Sequence, residues 1–259
     1  MKAAFSLFLI FNSLCSFACE LNRPIISLSG PLTMMLEEMN LLGDKNLVGI
    51  SNFHPVKTYD GQIFSGGLFL SKSVLNKNSE AFIFYDRSRE FLKLLKSSKH
   101  KFYKAVETRE LTPFEVVADL LLSIDQFTSK CESAITKLEL KMEKLQQKLS
   151  KIKGRNAIFF LGEIKSKLPE LVIANDGFVT FLKQNKNYKT YPSTLSYVPW
   201  SKKSLSKLKD LVLVGIHEGK MFKLTKASSN RYNIQFRGIL TPGIRQVYFL
   251  EKFYQLEFL

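Results

Sequence analysis

The sequence predicts an α/β protein made of two lobes that are joined by a single long α-helix. Short apolar runs alternate with helical patterns over residues 25–106, and the same alternation resumes at residue 157. Such alternation is typical of parallel α/β units. A long amphipathic segment separates the two regions, without a Gly/Ser-rich linker. With 259 residues, of which 45% are hydrophobic, each lobe has enough apolar side chains for its own core.

The first 18 residues predict a secretory signal peptide. Lys2 precedes a short apolar run, and the small residues Ser16 and Ala18 stand at the −3 and −1 positions of a cleavage site after Ala18. A transmembrane anchor needs about 20 apolar residues, and this run is shorter. Export removes Lys2 and lowers the net charge from +15 to +14. It also argues against nucleic acid, which a basic charge would otherwise suggest as a partner.

Two cysteines remain after cleavage, Cys19 and Cys131. An even number of cysteines in an oxidising compartment is compatible with a disulfide. The alternative is that Cys19 is the lipidated first residue of a lipoprotein. We rank this lower, because Ser16 stands where an aliphatic residue is usual.

We assign residues 23–111 to an N-terminal α/β lobe. Leu32, Met35, Leu36 and Met39 have helical spacing, and Gly43 closes this segment. The predicted elements are strands at 25–28, 47–50, 81–85 and 101–106, and a helix at 31–40.

We assign residues 112–153 to a connecting helical segment. Thr112 and Glu115 form a capping box for a helix that reaches about residue 123. A longer helix is predicted over 130–153, where apolar residues recur every three or four positions. This seam is compatible with a coiled coil or with packing against the protein's own lobes. The lack of consistent opposite-charge pairing favours the second interpretation.

Residues 154–259 form the predicted C-terminal α/β lobe. Apolar runs indicate strands at 157–161, 211–214 and 232–236, and a short helix is predicted over 201–208. Thr241 and Pro242 predict the start of a final helix, in which Ile244, Val247, Leu250 and Tyr254 share one face.

The sequence has no recognisable catalytic motif. It lacks G-x-S-x-G, Walker and H-E-x-x-H patterns, so we predict a non-enzyme without a cofactor or resident metal. His217 and Glu218, at a predicted strand end, leave a secreted hydrolase as a less favoured alternative. A receptor for free Zn²⁺ or Mn²⁺ needs several converging ligands, whereas only His54 and His217 are well placed.

Several segments, in order, resemble periplasmic substrate-binding proteins of ABC importers, of the cobalamin and iron-siderophore type with a helical backbone. They are RPIISLSGPLT (23–33), LLGD (41–44), LVGIS (47–51), VPWSKKSL (198–205), DLVLV (210–214) and PGIR (242–245). The resemblance extends over residues 23–256. It implies two Rossmann-like lobes with the ligand cleft between them, a periplasmic location, and a metal chelate as ligand: cobalamin, a ferric siderophore or haem. We expect the protein to be a monomer.

The resemblance also implies which residues contact the ligand. Trp200 and Tyr85 fall where relatives place aromatic contacts, and large flat rings suit a macrocycle. Arg87 or Arg237 is placed to meet an anionic edge of the ligand. The remaining candidates in the matching loops are Phe53, His54 and Tyr197.

Two lysines depart from the family pattern. Relatives usually dock onto their permease through one exposed Glu on each lobe, and this chain has Lys72 and Lys203 in the corresponding segments. Like charges at an interface are repulsive. Either the partner permease is acidic there, or the protein is an orphan binding or sensor protein that does not dock to a standard permease.

Overall fold

The computed structural model describes residues 19–51, 59–64, 80–85, 101–105, 111–151, 156–165, 167–185, 190–193, 195–206 and 211–256. The strands are β1 (Glu20–Leu21), β2 (Ile25–Ser27), β3 (Leu47–Ser51), β4 (Gln62–Phe64), β5 (Phe82–Tyr85), β6 (Lys101–Lys104), β7 (Thr128–Ser129), β8 (Ala157–Leu161), β9 (Leu171–Ile173), β10 (Tyr197–Pro199), β11 (Val212–His217), β12 (Lys223–Ser228) and β13 (Arg231–Gln235). The helices are α1 (Gly30–Glu38), α2 (Pro113–Asp125), α3 (Glu132–Leu149), α4 (Gly177–Gln184), α5 (Lys202–Ser206) and α6 (Ile244–Phe253).

The N-terminal lobe contains a five-stranded sheet in the order β4-β3-β2-β5-β6, with all pairings parallel. Its central strand β2 is fully buried, because helices cover a parallel sheet on its faces. The predicted strands and the first helix are present. Strand β4 was not predicted from the sequence.

The C-terminal lobe contains a six-stranded sheet in the order β10-β9-β8-β11-β13-β12. Strands β8, β11 and β13 are parallel, and β9 and β12 are antiparallel to their neighbours. The three predicted strands are present. Strands β9, β10 and β12 and helix α4 were not predicted from the sequence. The two sheets confirm the predicted α/β class.

Helix α2 has the predicted capping box. Thr112 Oγ1 accepts from the Glu115 backbone N–H, and the Glu115 carboxylate accepts from the Thr112 N–H. Helix α3 buries its apolar seam in the protein's own core, which favours packing over a coiled coil. Its 18 residues span about 27 Å, fewer than the 24 predicted. Residues 152 and 153 of that prediction lie outside the described residues.

A disulfide joins Cys19 to Cys131, the residue before α3. The adjacent residues form the short antiparallel ribbon β1-β7, in which Glu20 pairs with Ser129. Lys130 makes an ion pair with Glu20, and Leu21 is buried. The N-terminal residues of the described chain are therefore fixed to the connecting segment.

Helix α6 packs against α1, α2, α3 and α4 and so contacts elements of both lobes. Phe114 of α2 lies 5.2 Å, between ring centroids, from Phe181 of α4. One apolar cluster therefore extends through both lobes, and a second, smaller cluster packs around Ile158 and Phe160.

Among the described residues, no helix has the length and apolarity that crossing a membrane requires. The predicted start of α6 at Thr241 is wrong by two residues, because Gly243, with a φ of 101°, is the residue before the helix.

Candidate functional site

The carboxyl ends of the five parallel strands of the N-terminal lobe lie along one edge of its sheet. Ligands of open α/β sheets bind at this edge. It carries Ser29, Ser51 and Tyr85. Ser29 caps α1, accepting from the Leu32 backbone N–H at 3.3 Å. Tyr85 is half-buried at the end of β5, where its carbonyl accepts from the Ala105 N–H.

Buried hydroxyl groups fix the connection between β2 and α1. The Ser27 and Thr33 hydroxyl oxygens are 2.8 Å apart, and the Thr33 hydroxyl donates to the Ser29 carbonyl oxygen at 2.8 Å. All three side chains are fully buried. This part of the edge is therefore rigidly placed.

The corresponding edge of the C-terminal lobe lies where β8, β10, β11 and β13 end. Strand β10 runs in the same direction as β8, because both are antiparallel to β9. The edge carries the segment after β8, then Trp200, His217 and Glu218, and the turn after β13.

Trp200 is half-buried, and its indole N–H donates to the Pro169 carbonyl oxygen at 2.8 Å. Its ring meets Phe160 edge-on, with 6.4 Å between centroids. These contacts fix the orientation of a large aromatic side chain at the predicted ligand-binding edge.

Tyr197 and Trp200 lie on opposite faces of the C-terminal sheet. Tyr197 pairs with Ile173, which pairs with Phe159 in the middle of β8. Phe159 and Phe160 point to opposite faces of the sheet, and Trp200 contacts Phe160. The Tyr197 hydroxyl donates to the Asp176 carboxylate, and burial together with this carboxylate raises the pKa of Tyr197. Burial also raises the pKa of Asp176.

Arg237 lies in an ion-pair cluster that links the two lobes. Its guanidinium donates to both carboxylate oxygens of Glu37 in α1, at 2.9 and 3.0 Å, and Arg245 of α6 donates to the same carboxylate at 2.5 Å. The three side chains are only 11–13% exposed. We call Glu37, Arg237 and Arg245 the inter-lobe joint. The predicted ligand contact Arg237 is thus engaged between the lobes.

A second polar contact lies beside the joint. The Tyr248 hydroxyl donates to the Glu38 carboxylate, and Lys141 Nζ lies 2.7 Å from the Tyr248 oxygen and 3.6 Å from Glu38. Burial raises the pKa of Tyr248. Helices α1, α3 and α6 are connected by this contact.

Glu218 has a backbone role in the structure. Its carboxylate accepts from the N–H groups of Gly238 and Leu240 at 2.8 and 3.0 Å, and so holds the turn after β13. This contact gives no support to the hydrolase alternative. Within the described ranges, no group of three or more His, Cys, Asp or Glu side chains is arranged to hold a metal ion.

Of the other predicted site residues, only Lys203 is described by the structure. Phe53, His54, Arg87 and Lys72 lie outside the described residues. Lys203 is exposed on the short helix α5.

Two residues next to the carboxyl edge of the C-terminal sheet were not singled out from the sequence. Asn233 lies in the middle of β13 and is buried, and Gly215 lies beside it in β11. An Asn between Tyr232 and Ile234, and a Gly inside a β-branched run, are the signals that would have found them, since Gly within a strand marks a close approach of backbone.

Comparison with solved structures identifies the fold. The periplasmic heme-binding protein HutB of Vibrio cholerae is 15% identical, with a TM-score of 0.64 over 90% of this chain and 98% of that chain. A periplasmic binding protein from Veillonella parvula is 13% identical, with a TM-score of 0.65 over 91% of each chain. The periplasmic vitamin B12-binding protein BtuF of Vibrio cholerae is 13% identical, with a TM-score of 0.56 over 75% of this chain and 76% of that chain.

No protein-family model and no curated sequence matches the chain. At identities of this size the likeness concerns the fold. The chain has the two-lobed α/β fold of the periplasmic substrate-binding proteins of ABC importers, of the type with a helical backbone.

Proposed function

We propose that the protein is a periplasmic solute-binding protein, without enzymatic activity, that captures a metal chelate for an ABC importer. The fold carries this proposal, since solved structures that share it are described as binding proteins for heme and vitamin B12. Another belongs to an Fe3+-hydroxamate transport system. Cobalamin, a ferric siderophore and haem are accordingly the candidate ligands.

We propose that the ligand lies between the carboxyl edges of the two sheets, against Tyr85 and Trp200. Both are half-buried aromatic residues at these edges, and Trp200 is held by Pro169 and Phe160. Phe53, His54 and Arg87 remain candidates from the family resemblance. We assign Tyr197 and Arg237 structural roles, because their polar groups are engaged with Asp176 and Glu37.

Fluorescence titration tests this site, because Trp200 is the one tryptophan of the chain. We expect haemin, cyanocobalamin or a ferric hydroxamate to quench Trp200 saturably at micromolar concentration. Tyr85→Ala should weaken binding at least 10-fold, and the matched control Tyr197→Phe should leave it within 2-fold. Quenching by none of the three chelates would contradict the proposal.

We propose that Cys19 is not lipidated and that the mature protein is a free monomer in the periplasm. The Cys19 sulfur is used in the disulfide with Cys131. Glu20 and Leu21 follow at once in a strand, and Leu21 is 2% exposed, so no spacer separates Cys19 from the folded body. Intact-mass spectrometry of the protein isolated from the periplasm should give the mass of the chain from Cys19 without a lipid. A diacylglyceryl mass increment would refute this.

We propose that Lys203 and Lys72 contact an acidic surface of the partner. The exposure of Lys203 on α5 supports this proposal. A photo-crosslinking residue at position 203 should recover an ABC permease, and the same residue at Lys226, exposed on the edge strand β12, should not. Recovery of an unrelated envelope protein from position 203 would favour the orphan-receptor alternative.

A further inference from the structure

A buried asparagine makes two hydrogen bonds to the backbone that follows β8. The Ile164 N–H donates to Asn233 Oδ1 at 2.7 Å, and the Asn233 side-chain amide donates to the Ile164 carbonyl oxygen at 2.9 Å. Asn233 is 4% exposed. It therefore satisfies both backbone groups of one residue in a segment that leaves the sheet at its carboxyl edge.

Gly215 provides the space for this contact. A Cβ at position 215 would lie 2.4 Å from Asn233 Oδ1, 2.6 Å from the Gly162 carbonyl oxygen and 2.9 Å from the Ile164 nitrogen. Real Cβ atoms do not approach backbone so closely. The Asn233 side chain and the backbone after β8 thus meet directly above the Gly215 Cα.

Trp200 makes a hydrogen bond to the other end of the same segment. The segment connects β8 to β9, and its described residues are 162–165 and 167–170. The Trp200 indole N–H donates a hydrogen bond to the carbonyl oxygen of Pro169, just before β9. Asn233 and Trp200 thus act on opposite ends of one connection, and Trp200 is itself the proposed ligand contact.

We propose that Asn233 is a positioning residue of the ligand cleft: it fixes the described residues of this connection, 162–165 and 167–170, as a preformed wall beside Trp200. This inference rests on the proposed function. A wall that is ordered before binding spares the ligand the entropic cost of ordering it. Loss of the Asn233 contacts leaves two polar groups of Ile164 without this partner and frees the segment to move.

Hydrogen exchange without ligand tests the structural part. In the wild-type protein the Ile164 amide should exchange as slowly as the Gly162 amide, which donates to the Ile216 carbonyl oxygen in the neighbouring strand. In Asn233→Ala the Ile164 amide should exchange at least 100-fold faster. Equal exchange in the folded variant would overturn the proposal. Fast exchange of the Ile164 amide in the wild type would overturn it even if the variant does not fold.

Binding tests the functional part. Asn233→Ala should weaken binding of the chelate that quenches Trp200 at least 10-fold. Leu138→Ala, a core truncation in α3 far along the chain from this edge, should lower the unfolding temperature but keep the affinity within 2-fold. Equal affinity of Asn233→Ala and wild type would refute the positioning role. If the wild type binds no chelate, the proposed function fails, and the exchange result alone decides whether Asn233 fixes the segment.

Discussion

Replacing Glu37 by glutamine removes the carboxylate that Arg237 and Arg245 both contact, with little change of shape. Both carboxylate oxygens are occupied, at 2.5–3.0 Å, and the three side chains are 11–13% exposed. Removing one partner of a buried ion pair costs about 3–5 kcal/mol, because the remaining charge stays buried. We expect Glu37→Gln to lower the free energy of unfolding by about 3 kcal/mol. That is a large part of the roughly 5–15 kcal/mol of a typical domain.

Urea unfolding followed by circular dichroism measures this loss. The matched control is Glu163→Gln, whose partner Lys165 lies 3.6 Å away in an ion pair with side chains 76% and 49% exposed. Exposed pairs contribute about 0–1 kcal/mol. The double variant Glu37→Gln with Arg237→Gln should lose less than the sum of the single losses. A loss below 1 kcal/mol for Glu37→Gln, equal to that of the control, would refute a buried joint between the lobes.

Removing the disulfide by replacing Cys19 and Cys131 with Ala should lower the free energy of unfolding by about 4 kcal/mol, since the residues are 112 apart in sequence. Denaturant unfolding measures this, and a change below 1 kcal/mol would contradict a stabilising cross-link. Gly215→Ala should lower the free energy of unfolding by about 2–3 kcal/mol, because the added methyl group overpacks against Asn233. An unchanged unfolding temperature would contradict this overpacking. Burial raises the pKa of Tyr59 to about 12. Its unfolded pKa is about 10, so its contribution to stability is complete below pH 10 and is lost as pH rises to 12. The slope of stability against pH in this window should be smaller in Tyr59→Phe, and an equal slope would contradict the shift.

Most of the fold could be predicted from local patterns. The capping box at Thr112 and the apolar seam of α3 specify their helices without help from distant residues. The short strands β9 and β10 and the helix α4 were missed. Strand β9 has only three residues, and its pairing with β8 and β10 forms it. Pairing partners distant in sequence leave no periodic signal in so short a run.

The site was predicted less completely, because its polar contacts join distant residues. Tyr197 and Trp200 are three positions apart in sequence but belong to opposite faces of the sheet. Arg237 reaches Glu37 across 200 residues of sequence. No local sequence pattern shows that Arg237 forms a buried ion pair. Tyr85, in contrast, lies at the end of a strand that an apolar run had already indicated. Trp200 follows β10, which was not predicted, and only the family resemblance pointed to it.

A crystal structure of the protein grown with the chelate that quenches Trp200 tests the central claim most directly. We predict one ligand molecule between the lobes, in contact with Trp200 and Tyr85 at the carboxyl edges of the two sheets. The inter-lobe joint should remain closed around Glu37. A ligand bound elsewhere on the surface, with both aromatic side chains free of it, would contradict the account.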